Sequence, residues 1–372
     1  MANAYWEARA RLRQLAYDRS ANNIIRQVSA AYDSARRQLN RDIDDIIGSY
    51  TRQTGLTAKQ ALDYLNGGVP VSVLDGIRAR LVNITNKAER RRLEVILNTS
   101  GYRARISRLD AILDSARVGL TEAADVELRL LTPHLQGIAE TAYSRMMYDV
   151  QFASGYGFQM AGVPSRALSE ILKSHWAGIN YSDRIWANRD SMVGLLKKAI
   201  MEQSSIGKLS DATLKDIRGS INLDKWKAQL KSKFKDEAQY AKYASNRLIR
   251  TETAYVSGQT TAVAYDECGI ERYEFISVLD GKTSQKCSGL DGQVFKLDEM
   301  EVGVNYPPVH PFCRSSVAPV LDTQNRKTMQ RRGEGKDGKS VLLPADMNYS
   351  TWKRWQNDGC PEVSKWMNKR IE

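Results

Sequence analysis

The sequence is poor in the residues that cross-link proteins or bind metals, with four cysteines and three histidines among 372 residues. So few cysteines exclude a disulfide scaffold. The chain lacks a basic start followed by the apolar core of a secretory signal, so we expect synthesis in a reducing cytoplasm. No apolar run approaches the ~20 residues of a membrane helix, which predicts a protein without a membrane partner.

The charge balance is strongly basic. Lysine and arginine total 55 against 43 acidic residues, for a formal net charge of +12 and a pI near 9.4. Such a charge favours a polyanion or an acidic protein face as neighbour. Because the charges are spread along the chain, solubility alone is an equal explanation. The densest local cluster, Lys87 to Glu94, has the pattern of either a solvated helix face or a nucleic-acid contact.

Length and patterning predict several domains. A chain of 372 residues with 42% hydrophobic residues can fill two or three cores. We predict a helical N-terminal region over residues 1–160, a mixed domain over 161–321, and a basic linker with a tryptophan-containing tail over 322–372. The predicted fold class is α+β: a long-helix N-terminal region followed by a mixed domain with helices packed on a small antiparallel β module.

Apolar residues recur at the helical period of 3.6 over most of the chain before Gly269. Thr57 and Gln60 have the spacing of a capping box at a helix start. A proline at position 133 predicts a kink in the helix that contains it. The predicted helices cover residues 24–48, 57–66, 84–97, 105–118, 121–152, 165–173, 181–203, 211–217 and 235–267.

The hydrophobic period changes from 3.6 to two after Gly269. This change predicts short strands over residues 273–279, 294–297 and 313–320. Between the first two, Asp291-Gly292 predicts a β-hairpin with a type I′ turn. The polar stretch 322–340 has the composition of a solvated loop or linker arm. Near the end of the chain three tryptophans predict a short docked tail: Trp352, Trp355 and Trp366.

Two cysteines and a histidine fall within this β module. Cys287, His310 and Cys313 offer the ligands of a structural zinc site, because two residues separate His310 from Cys313 as in paired zinc ligands. Cys268 or Asp280 would then supply the fourth ligand. The same side chains would equally serve to pack a small β module without a metal.

A catalytic site is the third interpretation of these residues. A thiol enzyme would use Cys287 as nucleophile beside His310, with Asp280 or Asp291 orienting the imidazole. A zinc hydrolase or nuclease built on Cys287, His310 and Cys313 would need an open coordination position. No local nucleophile signature surrounds Cys287, so we keep a zinc-dependent or thiol hydrolase as the alternative function.

Arg250, Thr251 and Glu252 lie in the middle of a predicted helix. Polar side chains on a buried helix face require hydrogen-bond partners. We therefore expect the arginine and the glutamate to anchor this helix to the β module.

Three stretches in the second half of the chain carry a specific combination of motifs: RLIRTETAYVSGQTTAVAY, RYEFISVLDGKTSQKCSGLDGQVF and YPPVHPFCRSSVAPVL. Their order and spacing resemble those of the Mu F-like minor head (head morphogenesis) proteins of tailed bacteriophages. The resemblance covers about residues 165–321. The residues that match the family's structural motifs are Arg250, Thr251, Glu252, Asp280, Thr283, Asp291, Gly292, Pro308, His310, Pro311 and Arg314.

The resemblance implies a function in the phage particle and no general catalytic activity. Members of this family are structural virion components, made in the bacterial cytoplasm and associated with the portal vertex. They act in head assembly or in DNA packaging and delivery. We therefore expect portal and capsid subunits as partners, packaged DNA as a further nonspecific partner, and a location at the capsid interior or portal vertex. A free DNA-binding protein is a third functional class that the basic charge leaves open.

Overall fold

A computed structural model describes residues 2–48, 56–98, 106–154, 162–215, 220–320, 330–344, 347 and 349–358. The fold is α+β, as the sequence predicts. Among the helices of these ranges, none has the length and apolar character of a membrane-spanning segment.

Helices occupy most of the described chain. They are Ala2–Ile47 (α1), Ala58–Asn66 (α2), Val71–Ala79 (α3), Lys87–Asn98 (α4), Arg108–Ser154 (α5), Ser165–Lys173 (α6), Tyr181–Gln203 (α7), Ile206–Leu209 (α8), Leu223–Glu267 (α9), Gln285–Leu290 (α10) and Tyr349–Asp358 (α11). Short 3-10 turns cover Arg80–Asn83, Ala212–Leu214 and Leu297–Glu299. The predicted bounds of α6 and α7 are confirmed to the residue.

Helix α5 is one continuous helix, so the predicted break between residues 118 and 121 is wrong. Gly119 lies at this point, and a Cβ added to it would stand 3.4 Å from the Cβ of Ala35. The atom nearest to such a Cβ would be Arg80 Nη2 at 2.9 Å, and the helix continues through this position. Pro133 likewise lies inside α5.

The chain divides into two compact units that are not contiguous in sequence. The first contains Met1–Asn23, Thr132–Asn180 and Arg247–Glu372, and the second contains Ile24–Leu131 and Tyr181–Asn246. The helices α1, α5 and α9 each contribute residues to both units. The boundaries predicted at 160/161 and 321/322 stay predictions.

The second unit has an apolar helical core that includes a deeply buried carboxylate, Glu127. Side chains such as Trp226 and Ile84 are fully buried there. Glu127 is 1% exposed, and its Oε2 accepts hydrogen bonds from Tyr32 Oη at 2.9 Å and Ser245 Oγ at 2.7 Å. Burial raises the pKa of Glu127 to about 7, against the lowering effect of these two hydrogen bonds.

The first unit contains a three-stranded antiparallel sheet of Arg272–Ile276 (β1), Val294–Lys296 (β2) and Ser316–Pro319 (β3), in the order β2-β1-β3. Helix α9 ends just before this sheet, and Gly269 has φ 67°, a conformation that favours glycine after a helix. One core cluster joins the end of α9 to the sheet through Tyr265, Tyr273 and Val317. The predicted antiparallel β module packed by helices is confirmed.

The Asp291-Gly292 turn is a type II turn, so the predicted type I′ hairpin is wrong. Asp291 has φ −57° and ψ 125°, Gly292 has φ 77°, and Gln293 N donates to Leu290 O at 3.0 Å. The turn connects the short helix α10 to β2, so two strands do not flank it. The side chain of Asp291 holds this geometry, as described below.

A second hairpin and a short helix follow the sheet. Gln330–Glu334 (β4) pairs antiparallel with Ser340–Pro344 (β5), although this stretch was predicted to be a loop or linker arm. The docked tail is confirmed for α11, where Trp352 and Trp355 are buried against Leu279. Residues 321–329 and Trp366 lie outside the described residues.

Candidate functional site

The short helix α10 places Cys287 inside the β module. Ser284 precedes the helix, and its Oγ accepts a hydrogen bond from Cys287 N at 3.2 Å. This cap fixes the helix start, so the third helical residue faces inward. Cys287 is 3% exposed and packs in a cluster with Phe275, Val309 and Cys313.

The loop from Pro307 to Cys313 brings His310 and Cys313 to the same place. Phe312 has φ 61°, an uncommon conformation for a residue with a side chain. Its backbone N–H donates to Thr251 Oγ1 on helix α9 at 3.3 Å, which holds the loop in that conformation. Cys313 N donates to His310 O at 3.2 Å and closes a turn.

Cys287, His310 and Cys313 form a compact group of ligand atoms. The Sγ of Cys287 lies 3.1 Å from His310 Nε2 and 3.7 Å from Cys313 Sγ. All three donor atoms lie within 4.8 Å of one another. The predicted convergence of these side chains is therefore present in the structure.

The tautomer of His310 follows from its second hydrogen bond. His310 Nδ1 lies 2.7 Å from the carbonyl oxygen of Pro311. A carbonyl can only accept, so Nδ1 carries the proton. In this tautomer of the ring, Nε2 presents its lone pair to Cys287 Sγ, either as acceptor of the thiol proton or as a metal ligand.

The two thiols of the group are electrostatically distinct. A hydrogen bond from Cys313 lowers the pKa of Cys287 below its ordinary value, although burial opposes this. The hydroxyls of Ser284 and Ser315 lower it further. The contact with Cys287, together with burial, raises the pKa of Cys313. Cys287 is thus the thiol that ionises first.

Asp280 is bound to Arg314 and does not join this group. Its two oxygens accept from Arg314 Nη1 at 2.6 Å and Nη2 at 2.7 Å. The hydroxyl of Thr283 and the backbone N–H of Lys282 also donate to Asp280. Burial raises the pKa of Asp280, but these donors and the arginine charge bring it below its ordinary value. Asp280, Thr283 and Arg314 therefore form a structural clamp on the loop after β1.

Asp291 ties the turn to two other parts of the first unit. Its Oδ1 accepts from Ser277 N at 2.8 Å, and its Oδ2 accepts from Tyr349 N at 2.8 Å, at the start of α11. Gly292 N donates to Phe275 O at 2.9 Å, which joins the turn to β1. Both residues of the motif thus position backbone and do not face the thiol group.

The Arg-Thr-Glu motif of α9 has three different partners. Arg250 binds Asn22 on α1 at 2.6 Å, and Glu252 accepts from Trp176 Nε1 at 3.3 Å. The expectation that this arginine and glutamate anchor α9 to the β module stays a prediction. Thr251 makes that connection, through Phe312.

The remaining predicted residues divide between buried and exposed positions. Pro308 is buried and Pro311 is exposed. Cys268 Sγ contacts Met147 Sδ at 3.4 Å in a different core cluster. Among the described residues, no fourth histidine, cysteine or carboxylate joins the group of three. Neither Cys268 nor Asp280 supplies the predicted fourth ligand.

The thiol-enzyme arrangement predicted as an alternative forms only in part, because Cys287 lies beside His310 but no carboxylate holds the imidazole. The proton of His310 Nδ1 goes to a backbone carbonyl, so neither Asp280 nor Asp291 orients the ring. Two contacts were missed from the sequence, the serine hydroxyls beside Cys287 and the Thr251 contact to Phe312. The Ser-x-x-Cys spacing at 284–287, typical of an N-cap, was the available signal for the first.

Comparison with known families bears on this segment. Residues 208–318 match the family model described as "Phage Mu protein F like protein". This segment resembles the Mu F-like family. The match confirms the resemblance found in the motifs, and it contains β1, β2, all of β3 except Pro319, and the whole group of Cys287, His310 and Cys313. It covers less than a third of the chain, and the family connects the segment with phage head morphogenesis.

The similarity of this chain to a curated protein is weak. An uncharacterized protein of Haemophilus influenzae (strain ATCC 51907 / DSM 11121 / KW20 / Rd) is 24% identical over 149 residues. The aligned part is 40% of this chain and 32% of that relative, so the match spans about a third of the relative's length. No solved structure matches the chain.

Proposed function

We propose that this protein is a structural minor head protein of a tailed bacteriophage, located at the portal vertex and acting in head assembly and in DNA packaging or delivery. The observation that carries the proposal is the Mu F-like match over residues 208–318. The motif residues within it serve architecture, because Thr251, Asp280 and Asp291 each hold backbone or loop segments in place.

The burial of the thiol group favours a structural role over the hydrolase alternative. Cys287 is 3% exposed and Cys313 is 4% exposed. A nucleophile has to meet its substrate, and a thiol at that depth does not. A groove of about 1080 Å³ in the same unit is lined by α6, the end of α9 and residues 296–300, and it includes none of the three side chains.

Portal and capsid subunits are the proposed protein partners, and packaged DNA is a proposed nonspecific one. The net charge of +12 supports contact with a polyanion. On α4, Lys87 and Arg91 are exposed, whereas Arg90 and Arg92 lie near Glu94 and Glu89 at 3.7 and 3.8 Å. The first two cations are therefore the better placed to meet phosphate.

Location in the particle tests the main proposal. The tagged protein would be produced during phage growth and labelled in purified particles, which are then reconstructed without imposed symmetry. Label at one vertex supports the proposal. Label spread over the whole shell would refute the portal location, and absence from purified particles would refute the virion assignment itself.

DNA contact is tested separately by fluorescence anisotropy with duplexes of random sequence. We expect weak binding that falls steeply with added salt, because phosphate contacts release counterions. The double variant Lys87→Gln/Arg91→Gln should reduce the salt dependence by about two counterions. The matched control neutralises Lys198 and Lys296, each of which faces a glutamate. If the protein does not bind the duplexes at low salt, its positive charge would be explained by contacts with protein partners instead.

A further inference from the structure

We propose that Cys287, His310 and Cys313 bind a zinc ion that joins helix α10 to the 307–313 loop. This site lies within the Mu F-like segment but does not depend on the location of the protein in a phage particle. The ion would cross-link two short segments that otherwise meet through a few apolar contacts.

The spacing of the two sulfur atoms fits a tetrahedral ion. With Zn–S bonds of about 2.3 Å and a tetrahedral angle, two thiolates lie about 3.8 Å apart. The observed distance between Cys287 Sγ and Cys313 Sγ is 3.7 Å. The same calculation with a Zn–N bond of about 2.1 Å places sulfur and nitrogen about 3.6 Å apart. Cys287 Sγ and His310 Nε2 are 3.1 Å apart, so a shift of about half an ångström would open the site.

The orientation of His310 is that of a metal ligand. Metal-binding histidines usually donate their second ring N–H to a carboxylate, a carbonyl or water, which fixes the tautomer. Here Nδ1 donates to Pro311 O at 2.7 Å, so the lone pair of Nε2 faces Cys287 Sγ, and Cys313 Sγ lies within 4.8 Å. His310 is half-buried, which leaves a route for the ion from solvent.

The chemistry of the donors selects the kind of metal. Two thiolates and an imidazole suit zinc, whereas calcium and magnesium require oxygen ligands. Asp280, the nearby carboxylate predicted as a fourth ligand, is held by Arg314. Three protein ligands leave one position of the tetrahedron for a water molecule.

A disulfide between the two cysteines is the competing explanation. Its sulfur atoms would lie about 2.05 Å apart, much closer than the observed 3.7 Å. A disulfide would also leave the lone pair of His310 Nε2 without the thiol proton as partner. The separation of the sulfurs and the direction of the imidazole together favour an ion between the three side chains.

The test is metal binding by the full chain, purified under reducing conditions. The protein would be stripped with a chelator, its free thiols counted, and then titrated with Zn²⁺ and separately with Co²⁺. We expect one equivalent of Zn²⁺ per chain, a higher Tm with Zn²⁺ than after chelation, and a thiolate-to-cobalt charge-transfer band. An apo protein with all thiols free that binds no Zn²⁺ overturns the proposal, as does a Co²⁺ complex without that band.

Variants locate the ion at these side chains. Cys313→Ser should abolish the charge-transfer contribution of one thiolate. Because Cys313 is buried, a polar side chain there could also prevent folding. His310→Ala changes a half-buried residue and should weaken Zn²⁺ binding at least about tenfold in a folded protein. The matched control is Cys268→Ser, which removes a thiol outside the group and should keep one equivalent. Equal loss in this control, or unchanged binding in His310→Ala, overturns the proposal.

Discussion

Replacing Glu127 by glutamine should change how the stability of the helical unit depends on pH. The carboxyl group is 1% exposed, and its Oε2 accepts from the hydroxyls of Tyr32 and Ser245. Its Oε1 has no hydrogen-bond partner. A glutamine can keep the accepted hydrogen bonds through its own oxygen, but it carries no proton to lose between pH 4 and pH 8.

The sign follows from the two protonation states. Burial raises the pKa of Glu127 from 4.5 to about 7 in the folded protein. Below pH 4.5 the group is protonated in both states, and its full contribution to stability is present. As pH rises from 4.5 through 7, the unfolded chain releases the proton while the folded chain retains it, so stability falls. Above pH 7 the folded protein holds a buried carboxylate, and the loss is complete.

The magnitude follows from the same two pKa values. The interval from 4.5 to about 7, at about 1.4 kcal/mol for each pKa unit, corresponds to about 3 kcal/mol. Relaxation around the buried charge makes this a ceiling. For a unit of this size, each kcal/mol shifts Tm by about 2–4 °C, so the largest expected difference is about 10 °C.

The assay is thermal unfolding of wild type and Glu127→Gln at several pH values from 4 to 8. The Tm of the variant minus that of wild type should increase between pH 4.5 and 7 and then level off. Burial lowers the pKa of His134 to about 4, so the stability that this residue contributes is lost as pH falls from 6.5 through 4. This opposite effect is the same in both proteins and cancels in the Tm difference between variant and wild type. Glu202→Gln, on an exposed side chain, should give a constant difference. A constant difference for Glu127→Gln as well would refute the argument.

Three further substitutions test contacts of the fold. Arg314→Lys should lower the free energy of unfolding by about 1 kcal/mol in urea, because lysine cannot make both hydrogen bonds to Asp280; equal stability would contradict the clamp. Trp352 is 2% exposed and its Nε1 donates to Glu334 O, so Trp352→Ala should lower the local free energy of unfolding by about 3–5 kcal/mol. Hydrogen exchange should then show lost amide protection in β4 and β5, while β1–β3 stay protected. Thr57→Ala should cost about 1 kcal/mol through loss of the capping box, and Thr57→Ser should restore most of it.

Local rules predicted those elements whose boundaries are set by local residues. The capping box at Thr57 and the glycine after α9 at Gly269 lie where the sequence places them, because side-chain caps and positive φ are properties of a few neighbouring residues. The hydrophobic period is also a property of neighbouring residues, so its change after Gly269 predicted the sheet.

Distant contacts decided the features that the sequence missed. α5 continues through Gly119, whose neighbours include Arg80 and Ala35 from distant parts of the chain. The turn at Asp291 is type II, a type that Gly292 also permits, and the Asp291 carboxylate accepts hydrogen bonds from Ser277 N and Tyr349 N. The residues of the candidate site were predicted from type and spacing. Only the tertiary structure shows that Asp280 is hydrogen-bonded to Arg314 and does not join them.

The interleaved order of the two units has a consequence for the order of events during synthesis. The helical unit needs residues up to Asn246 before all of its helices exist, and the other unit needs its sheet strands as well as Met1–Asn23. Trp6, near the start of the chain, packs in the same cluster as Val317. Many proteins complete an N-terminal domain while the rest is still being translated. Within the described residues neither core is complete early: the helical unit extends to Asn246 and the other core includes Val317, so the first helix, which contributes to both units, meets its last partners only late in synthesis.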